Sequence, residues 1–381
     1  MLPRASTAAW AREFVVRFQQ TCGPVMAKGV EDTAFYRWPR LTALNEVGGD
    51  PDRFALSAEE FHVFAARLAR DWPATMTTLS THDTKRQEDV RARLAVLAEI
   101  PQPWADEAGR WHDRAVSLSH GRGPEPDTEY LLWQTLVGAW PLGYERAASY
   151  LVKAMLEAKT ATSWTDPDED YEAAALAFTR TALGDAELTA GIAAFVTGIA
   201  PDARVNSLGA KLVQLTMPGV ADVYQGCELT GFALVDPDNR RLVDYGRRRA
   251  LLARQDSGSP AADLDAEKLL VTSRALRLRR DNPGWFAGSY APLRAAGPAA
   301  RHAVAFCRGG HAITVATRLP AALRQRGGWA GTALEVPATR WRDVLSGAVH
   351  TGPRLLLSDV TERLPVALLG PDGAPGPGVA R

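Results

Sequence analysis

The chain has 381 residues, 46% of them hydrophobic, and its 44 Lys plus Arg are balanced by 44 Asp plus Glu. That length exceeds one average domain, and that apolar share fills a real core, which excludes global disorder. Zero net charge gives no electrostatic reason to expect a nucleic-acid partner, and the longest apolar run, around 190–200, is too short for a bilayer span and is interrupted by Thr197.

In chain order, Trp10, Phe14 and Phe18 fall at near-helical spacing and predict a first helix. Cys22-Gly-Pro-Val-Met-Ala-Lys-Gly-Val30 is a short apolar segment between glycines and is expected as a buried strand. Ser57-Ala-Glu-Glu60 forms a capping box that opens an amphipathic helix running to about Asp71. Residues 74–81 are rich in threonine and apolar side chains and predict a strand ending at His82-Asp83. This strand, helix, strand order implies an α/β layer with a parallel sheet.

From 86 to 200 the pattern turns helical, with polar breaks at Gly121-Arg-Gly-Pro124 and Asp166-Pro-Asp168, as in an inserted subdomain. A further strand is expected within 218–228, followed by helices over 245–254 and 266–280. Their basic runs, Arg247-Arg248-Arg249 and Arg277-Leu-Arg279-Arg280, read as solvated faces. Beyond Pro283, short β-rich runs at 303–307, 311–317, 332–336, 341–345 and 355–357 predict a small antiparallel sandwich. The Gly/Pro-rich end, 370–381, is expected to be a disordered tail, and no internal repeat is found.

Three scattered cysteines, Cys22, Cys227 and Cys307, make neither a disulfide framework nor a zinc pattern. The start, Met1-Leu-Pro-Arg, lacks the apolar stretch of a secretory signal. A cytoplasmic protein with free thiols and no membrane partner is expected.

The richest segment for chemistry is Thr78-Leu-Ser-Thr-His-Asp-Thr-Lys-Arg86. An Asp at the mouth of a barrel strand is where catalysis on that fold resides, and a neighbouring His donates hydrogen bonds to a sugar hydroxyl. Lys85 and Arg86 hold anionic groups in place. The alternative is that Asp83 caps the next helix. Lys28, Glu31, Asp32, Tyr36 and Arg37 put charge and aromatics on a loop suited to gripping a polyhydroxylated sugar, or form an internal ion pair such as Glu31 with Arg37. Tyr224, Gln225 and Glu228 fit a strand-end subsite, although Tyr224 suits ordinary packing equally well. Trp164 is either a stacking platform or one core tryptophan among eleven, and turn formation fully explains Asp236 to Asn239.

The His82-Asp83 string resembles the fourth signature region of the alpha-amylase family, in the form found in its maltooligosyl trehalose synthase branch. Met26-Ala-Lys-Gly-Val-Glu-Asp-Thr-Ala-Phe-Tyr-Arg37 with Leu44-Asn-Glu-Val-Gly-Gly-Asp50 resembles that branch's sixth-strand region. Ser163-Trp-Thr-Asp-Pro-Asp168 resembles its helical insertion. Leu215-Thr-Met-Pro-Gly-Val-Ala-Asp-Val-Tyr-Gln-Gly-Cys-Glu228 and Leu234-Val-Asp-Pro-Asp-Asn-Arg-Arg241 resemble its eighth strand and the following loop. The matches run collinearly from about Phe18 to Gly347.

The resemblance implies the C-terminal part of a TIM (β/α)8 barrel (1–85 and 201–284), a helical insertion (86–200) and a β-sandwich (285–369). It implies a maltooligosaccharide substrate and an intramolecular transglucosylation, an isomerase reaction that turns the reducing-end α-1,4 bond into an α,α-1,1 linkage. Asp83 would stabilise the transition state, His82 would contact the same glucose, and no metal or cofactor is implied. Retaining chemistry needs two carboxyl groups about 5 to 5.5 Å apart. Neither the family's nucleophile signature nor its acid/base signature occurs before Met26. The expectation is therefore a fragment, or one half of an enzyme whose partner is a separate N-terminal half, inactive alone. The rival readings are an amylase-type hydrolase or glucanotransferase fragment, and a non-catalytic glucan-binding subunit.

Overall fold

The computed structural model describes residues 5–337 and 339–373, which group into two compact units. The first draws on 5–51, 108–136 and 141–191, the second on 52–107, 137–140 and 192–373.

The first unit opens with the helix Ala5–Val25, a π-helix Met26–Ala34 and a single helical turn Phe35–Arg37. The strand expected at 22–30 is thus absent. A strand needs a neighbour to take its N–H and C=O groups, and here the helix satisfies them locally. Residues 9–26 are exposed on every face, Trp10, Phe14 and Phe18 included. The rest of the unit is a helical core. Leu151 and Met155 of the helix Tyr144–Ala158 pack on Ala175 of Glu169–Gly184. The rings of Trp111, Trp133 and Phe178 follow one another at 5.9 and 6.1 Å between centroids. The polar break at Asp166-Pro-Asp168 ends in an N-cap, where the Asp168 carboxylate accepts the Tyr171 amide at 2.9 Å.

In the second unit the helix Ala58–Asp71 starts at the expected capping box. The Ser57 hydroxyl accepts the Glu60 amide at 3.1 Å, and the Glu60 carboxylate accepts the Ser57 amide at 2.8 Å. After it, β1 (Met76–Thr77) pairs in parallel with β2 (Val220–Ala221), in the register Met76 to Val220. The parallel relation is the expected one, but each strand is two residues long rather than eight or more. Gly219, at φ +124°, allows the approach, since a Cβ there would lie 2.7 Å from the Thr75 carbonyl. Buried Gln214 closes the pair, its amide donating to the carbonyls of Thr77 (2.8 Å) and Asp222 (3.0 Å).

The remaining strands are β3 (Tyr290–Leu293), β4 (Ala295–Ala296), β5 (Ala303–Arg308), β6 (Ala312–Thr317), β7 (Ala333–Glu335), β8 (Arg340–Asp343), β9 (Val349–Thr351), β10 (Arg354–Leu356) and β11 (Val366–Pro371). Six form an antiparallel sheet in the order β3-β5-β6-β11-β8-β9, and three form a second, β10-β7-β4. Side-chain alternation shows what covers the larger sheet. Ile313, Val315, Ala367 and Leu369 face the core shared with Leu334 and Leu355 of the small sheet. Ala312, Ala316, Val366 and Leu368 face Leu208, Leu212, Val271 and Ala275 of the helices Ala186–Thr216 and Leu264–Asp281. The antiparallel sheets expected after Pro283 are therefore present, but helices that precede them in sequence share their core. Two further expectations change. Gly370 and Pro371 belong to β11 rather than to a tail, and 374–381 lie outside the described residues. The basic runs are not simple solvated faces, because Arg248 pairs with Glu228, Arg277 with Asp256, and Arg279 donates to the Leu215 and Gly219 carbonyls. Among the described residues no single helix is long and apolar enough to cross a membrane.

Candidate functional site

The chain leaves β1 at Thr77 and turns before the helix Glu88–Ala95. Two threonines make that turn. The Thr81 hydroxyl accepts the amides of Asp83 (3.1 Å) and Thr84 (3.2 Å), while the Thr84 hydroxyl accepts the Thr81 amide (3.2 Å) and donates to its carbonyl (2.9 Å). His82 and Asp83 sit exposed at its tip. Asp83 is not a helix cap, because the following helix has Gln87 at that position. Its side chain is 51% exposed, and the buried Lys85 ammonium lies 3.7 Å from its Oδ1. A half-exposed carboxylate and an imidazole, beside a cation buried in the scaffold, are suited to accepting and donating hydrogen bonds to hydroxyls.

Beneath the tip lies a buried ionic cluster. Glu88 Oε1 is 2.6 Å from Lys211 Nζ and 2.8 Å from Lys268 Nζ, and Lys268 also reaches Asp89 at 2.6 Å. The Ser80 hydroxyl sits 3.1 Å from Glu88 Oε2, and Asp89 accepts the Gly231 amide at 2.8 Å. Burial pushes the Glu88 carboxyl up, but Lys268 and Lys211 outweigh it and hold the group at about 2. Cys227, buried nearby, has its thiol pushed up to about 12 by burial and by Glu88. The buried Arg86 bridges to Leu234 through the main chain, so it serves the scaffold rather than an open anion site.

Of the strand-end set, Gln225 is exposed and Tyr224 is partly buried, its hydroxyl donating to the Asn239 carbonyl at 3.4 Å. Glu228 is engaged by Arg248 at 3.1 Å. Asn239, which sequence reasoning treated as part of a turn, reaches the His82 carbonyl with its side-chain amide at 2.8 Å.

In the first unit, Lys28, Glu31, Asp32, Tyr36 and Arg37 lie on the π-helix and the turn after it, not on a loop following a strand. Lys28 pairs with Asp32 at 2.6 Å across one turn, exposed at its ammonium end. Glu31 is buried and accepts the Gly48 amide at 3.0 Å. Arg37 donates to the carbonyls of Ala158 (2.5 Å) and Lys159 (3.2 Å), closing the end of the helix Tyr144–Ala158. The Glu31–Arg37 ion pair weighed from sequence is therefore not formed. Tyr36 is buried, whereas Trp164 is 59% exposed on the turn before Asp168. Each unit thus carries its own share of the set: the second holds His82, Asp83, Lys85, Arg86, Tyr224, Gln225 and Glu228.

No family model matches the chain. A curated Mycobacterium tuberculosis protein that bears the name maltooligosyl trehalose synthase is 45% identical to it, covering 97% of this chain and 47% of that protein. The structure of maltooligosyltrehalose synthase from Arthrobacter ramosus superposes with a TM-score of 0.85 at 44% identity, covering 94% of this chain and 46% of that one. The chain is a relative of maltooligosyl trehalose synthase. A glycosyltrehalose synthase structure agrees, with a TM-score of 0.80 and 31% identity over 93% of this chain and 46% of that one. The chain spans about half the length of the curated synthases it matches. The likeness to the synthases extends over nearly the whole chain, as the collinear motifs imply, and is consistent with a C-terminal half.

Proposed function

We propose that this chain is the C-terminal half of a maltooligosyl trehalose synthase and supplies the carboxylate, Asp83, that stabilises the transition state of its transglucosylation. The observation that carries this reading is the His82–Asp83 turn, two exposed polar side chains on a main chain held by threonine hydroxyls, a few residues after a strand of a parallel pair. In this reading β1 and β2 are the seventh and eighth strands of a (β/α)8 barrel, whose catalytic residues stand where strands end. The helical block 86–200 is the insertion.

The reaction breaks the terminal α-1,4 bond of a maltooligosaccharide with formation of a glycosyl-enzyme ester. The released glucose turns, and its anomeric hydroxyl attacks that ester to give the α,α-1,1 product, so no water is consumed. Asp83 accepts hydrogen bonds from the sugar hydroxyls that strengthen as oxocarbenium character develops, and His82 donates to the same residue. Lys85, 3.7 Å from its carboxylate, orients Asp83. Within the unit that carries the turn, exposed Gln225 is the preferred further glucan contact; Glu31, Arg37 and Arg86 serve as scaffold. The nucleophile and the acid/base are assigned to the N-terminal half of the synthase, outside these residues. Exposed Met76 and Val220, on the parallel pair, are surface that such a half would cover.

The test incubates the purified chain with maltopentaose, alone and with the N-terminal half of a synthase relative, and follows loss of reducing ends. The expected outcome is no turnover alone and turnover on mixing, reduced by about a hundredfold or more in Asp83→Asn. Turnover by the chain alone overturns the division of labour, and glucan binding without turnover in the mixture identifies a binding subunit instead.

A further inference from the structure

We propose that Asn239 is a positioning residue that holds the His82–Asp83 turn in its working conformation; the inference rests on the reading of that turn as the glucan-facing site. Asn239 lies in the short helical turn Asp238–Arg240 and is 4% exposed. Its side-chain nitrogen donates to the His82 carbonyl at 2.8 Å and lies 3.4 Å from the Thr81 carbonyl, across 157 and 158 positions of sequence.

Turn formation does not account for this geometry. An Asn that builds a local turn uses its side-chain oxygen to accept a backbone amide nearby. Here that oxygen is buried with no hydrogen-bond partner, and the amide end makes the contacts. Two converging carbonyls call for an uncharged group with two hydrogens, which is what a carboxamide offers. The segment that presents Asn239 is itself fixed. Asp238 accepts the Leu234 amide at 2.8 Å, Leu234 bridges to Arg86, and the Tyr224 hydroxyl donates to the Asn239 carbonyl at 3.4 Å. The turn is thus held at its base by the Glu88 cluster and at its tip by Asn239. The bond goes to the main chain of His82, so Asn239 sets where the imidazole and carboxylate start from without touching substrate.

The isosteric variant Asn239→Asp removes the donor and keeps the shape. The titratable and charged groups on the segments that meet it are His82, Asp83 and Lys85 of the turn, Tyr224, and Asp236, Asp238, Arg240 and Arg241 of its own segment, all present in the parent chain, which serves as the control at every pH. Hydrogen exchange of the 78–86 segment, taken as the ratio of variant to parent, is the readout, because the Thr81, Asp83 and Thr84 amides are bonded within the turn. At about pH 8 exchange is expected to be roughly tenfold faster in the variant. Near pH 5 the buried carboxyl carries a proton and donates again, and the ratio falls to within about twofold. Asn239→Ala is expected to exchange faster at both pH values with no recovery. Parent-like exchange in both variants, or speeding spread evenly over the second unit, overturns the proposal. Calorimetric titration with maltopentaose accompanies it. Binding by the parent that weakens in step with the exchange ratio supports the glucan role. No binding by the parent, with the exchange result intact, removes the glucan reading and leaves Asn239 as the clamp of the turn.

Discussion

At Glu88 burial and charge pull in opposite directions, and the lysines win. A carboxyl 6% exposed would be neutral in apolar surroundings, yet two ammonium groups within 2.8 Å hold it ionised. Its contribution to stability is fully present above the ordinary value of 4.5 and is lost as pH falls toward the folded value of about 2. Lys268 is the keystone, since it meets both Glu88 and Asp89. Lys268→Ala leaves two buried carboxylates with one ammonium and is expected to cost about 3–5 kcal/mol, read from urea unfolding midpoints. A loss below about 1 kcal/mol would show that solvent reaches the cluster. None of this is legible in the sequence. Glu88 and Asp89 read as the start of a helix, and Lys268 is 179 positions from Asp89. Asn239 escaped notice for the same reason, a local explanation that looked sufficient. His82 and Asp83 were singled out because the string around them is long, and the structure places both exposed at the tip of one turn.

The capping box at Ser57 was readable because both of its bonds fall within four residues. The helix it starts carries His62, which is buried and hydrogen-bonded through Nδ1 to the Tyr290 hydroxyl at 2.7 Å, tying the helix to β3. Burial lowers the His62 pKa below the ordinary 6.5, against an opposing pull from Glu59. The neutral ring is the folded form, so its contribution is present above 6.5 and is lost as pH falls through the lower folded value. Protection of Ala58–Asp71, taken as exchange relative to the intrinsic rate at each pH, is expected to weaken as pH falls below 6.5, and His62→Gln should flatten that dependence. A pH response equal in parent and variant would assign it elsewhere. By contrast β11 gave no signal. It lies between β6 and β8 with residues 366–370 all buried, so its run is apolar without alternation and merges into a Gly/Pro-rich end. The expected strand at 22–30 failed in the opposite sense, since an apolar segment with glycines became a helix where no strand lay alongside it.

At the scale of the whole chain, motif order reached further than periodicity did, because collinearity depends on the entire sequence and not on any one contact. Composition, however, hid how the apolar residues are shared out. The helix Ala5–Val25 leaves Trp10, Phe14 and Phe18 between 60% and 69% exposed, on a chain with no net charge to keep copies apart. The isolated chain is expected to self-associate in sedimentation velocity, and replacing Trp10, Phe14 and Phe18 with Lys, Glu and Lys should return it to a monomer. Unchanged association in the triple variant would move the sticky surface elsewhere.

Gln214 gives the parallel pair a property that its two-residue strands lack by themselves. Bonded at once to the carbonyls of Thr77 and Asp222, it works as a gauge of phase between β1 and β2. A slip of one residue in β1 would break the contact and exchange the faces of Met76 and Thr77. The direction in which His82 and Asp83 leave the sheet is therefore set by a side chain 137 positions downstream of Thr77.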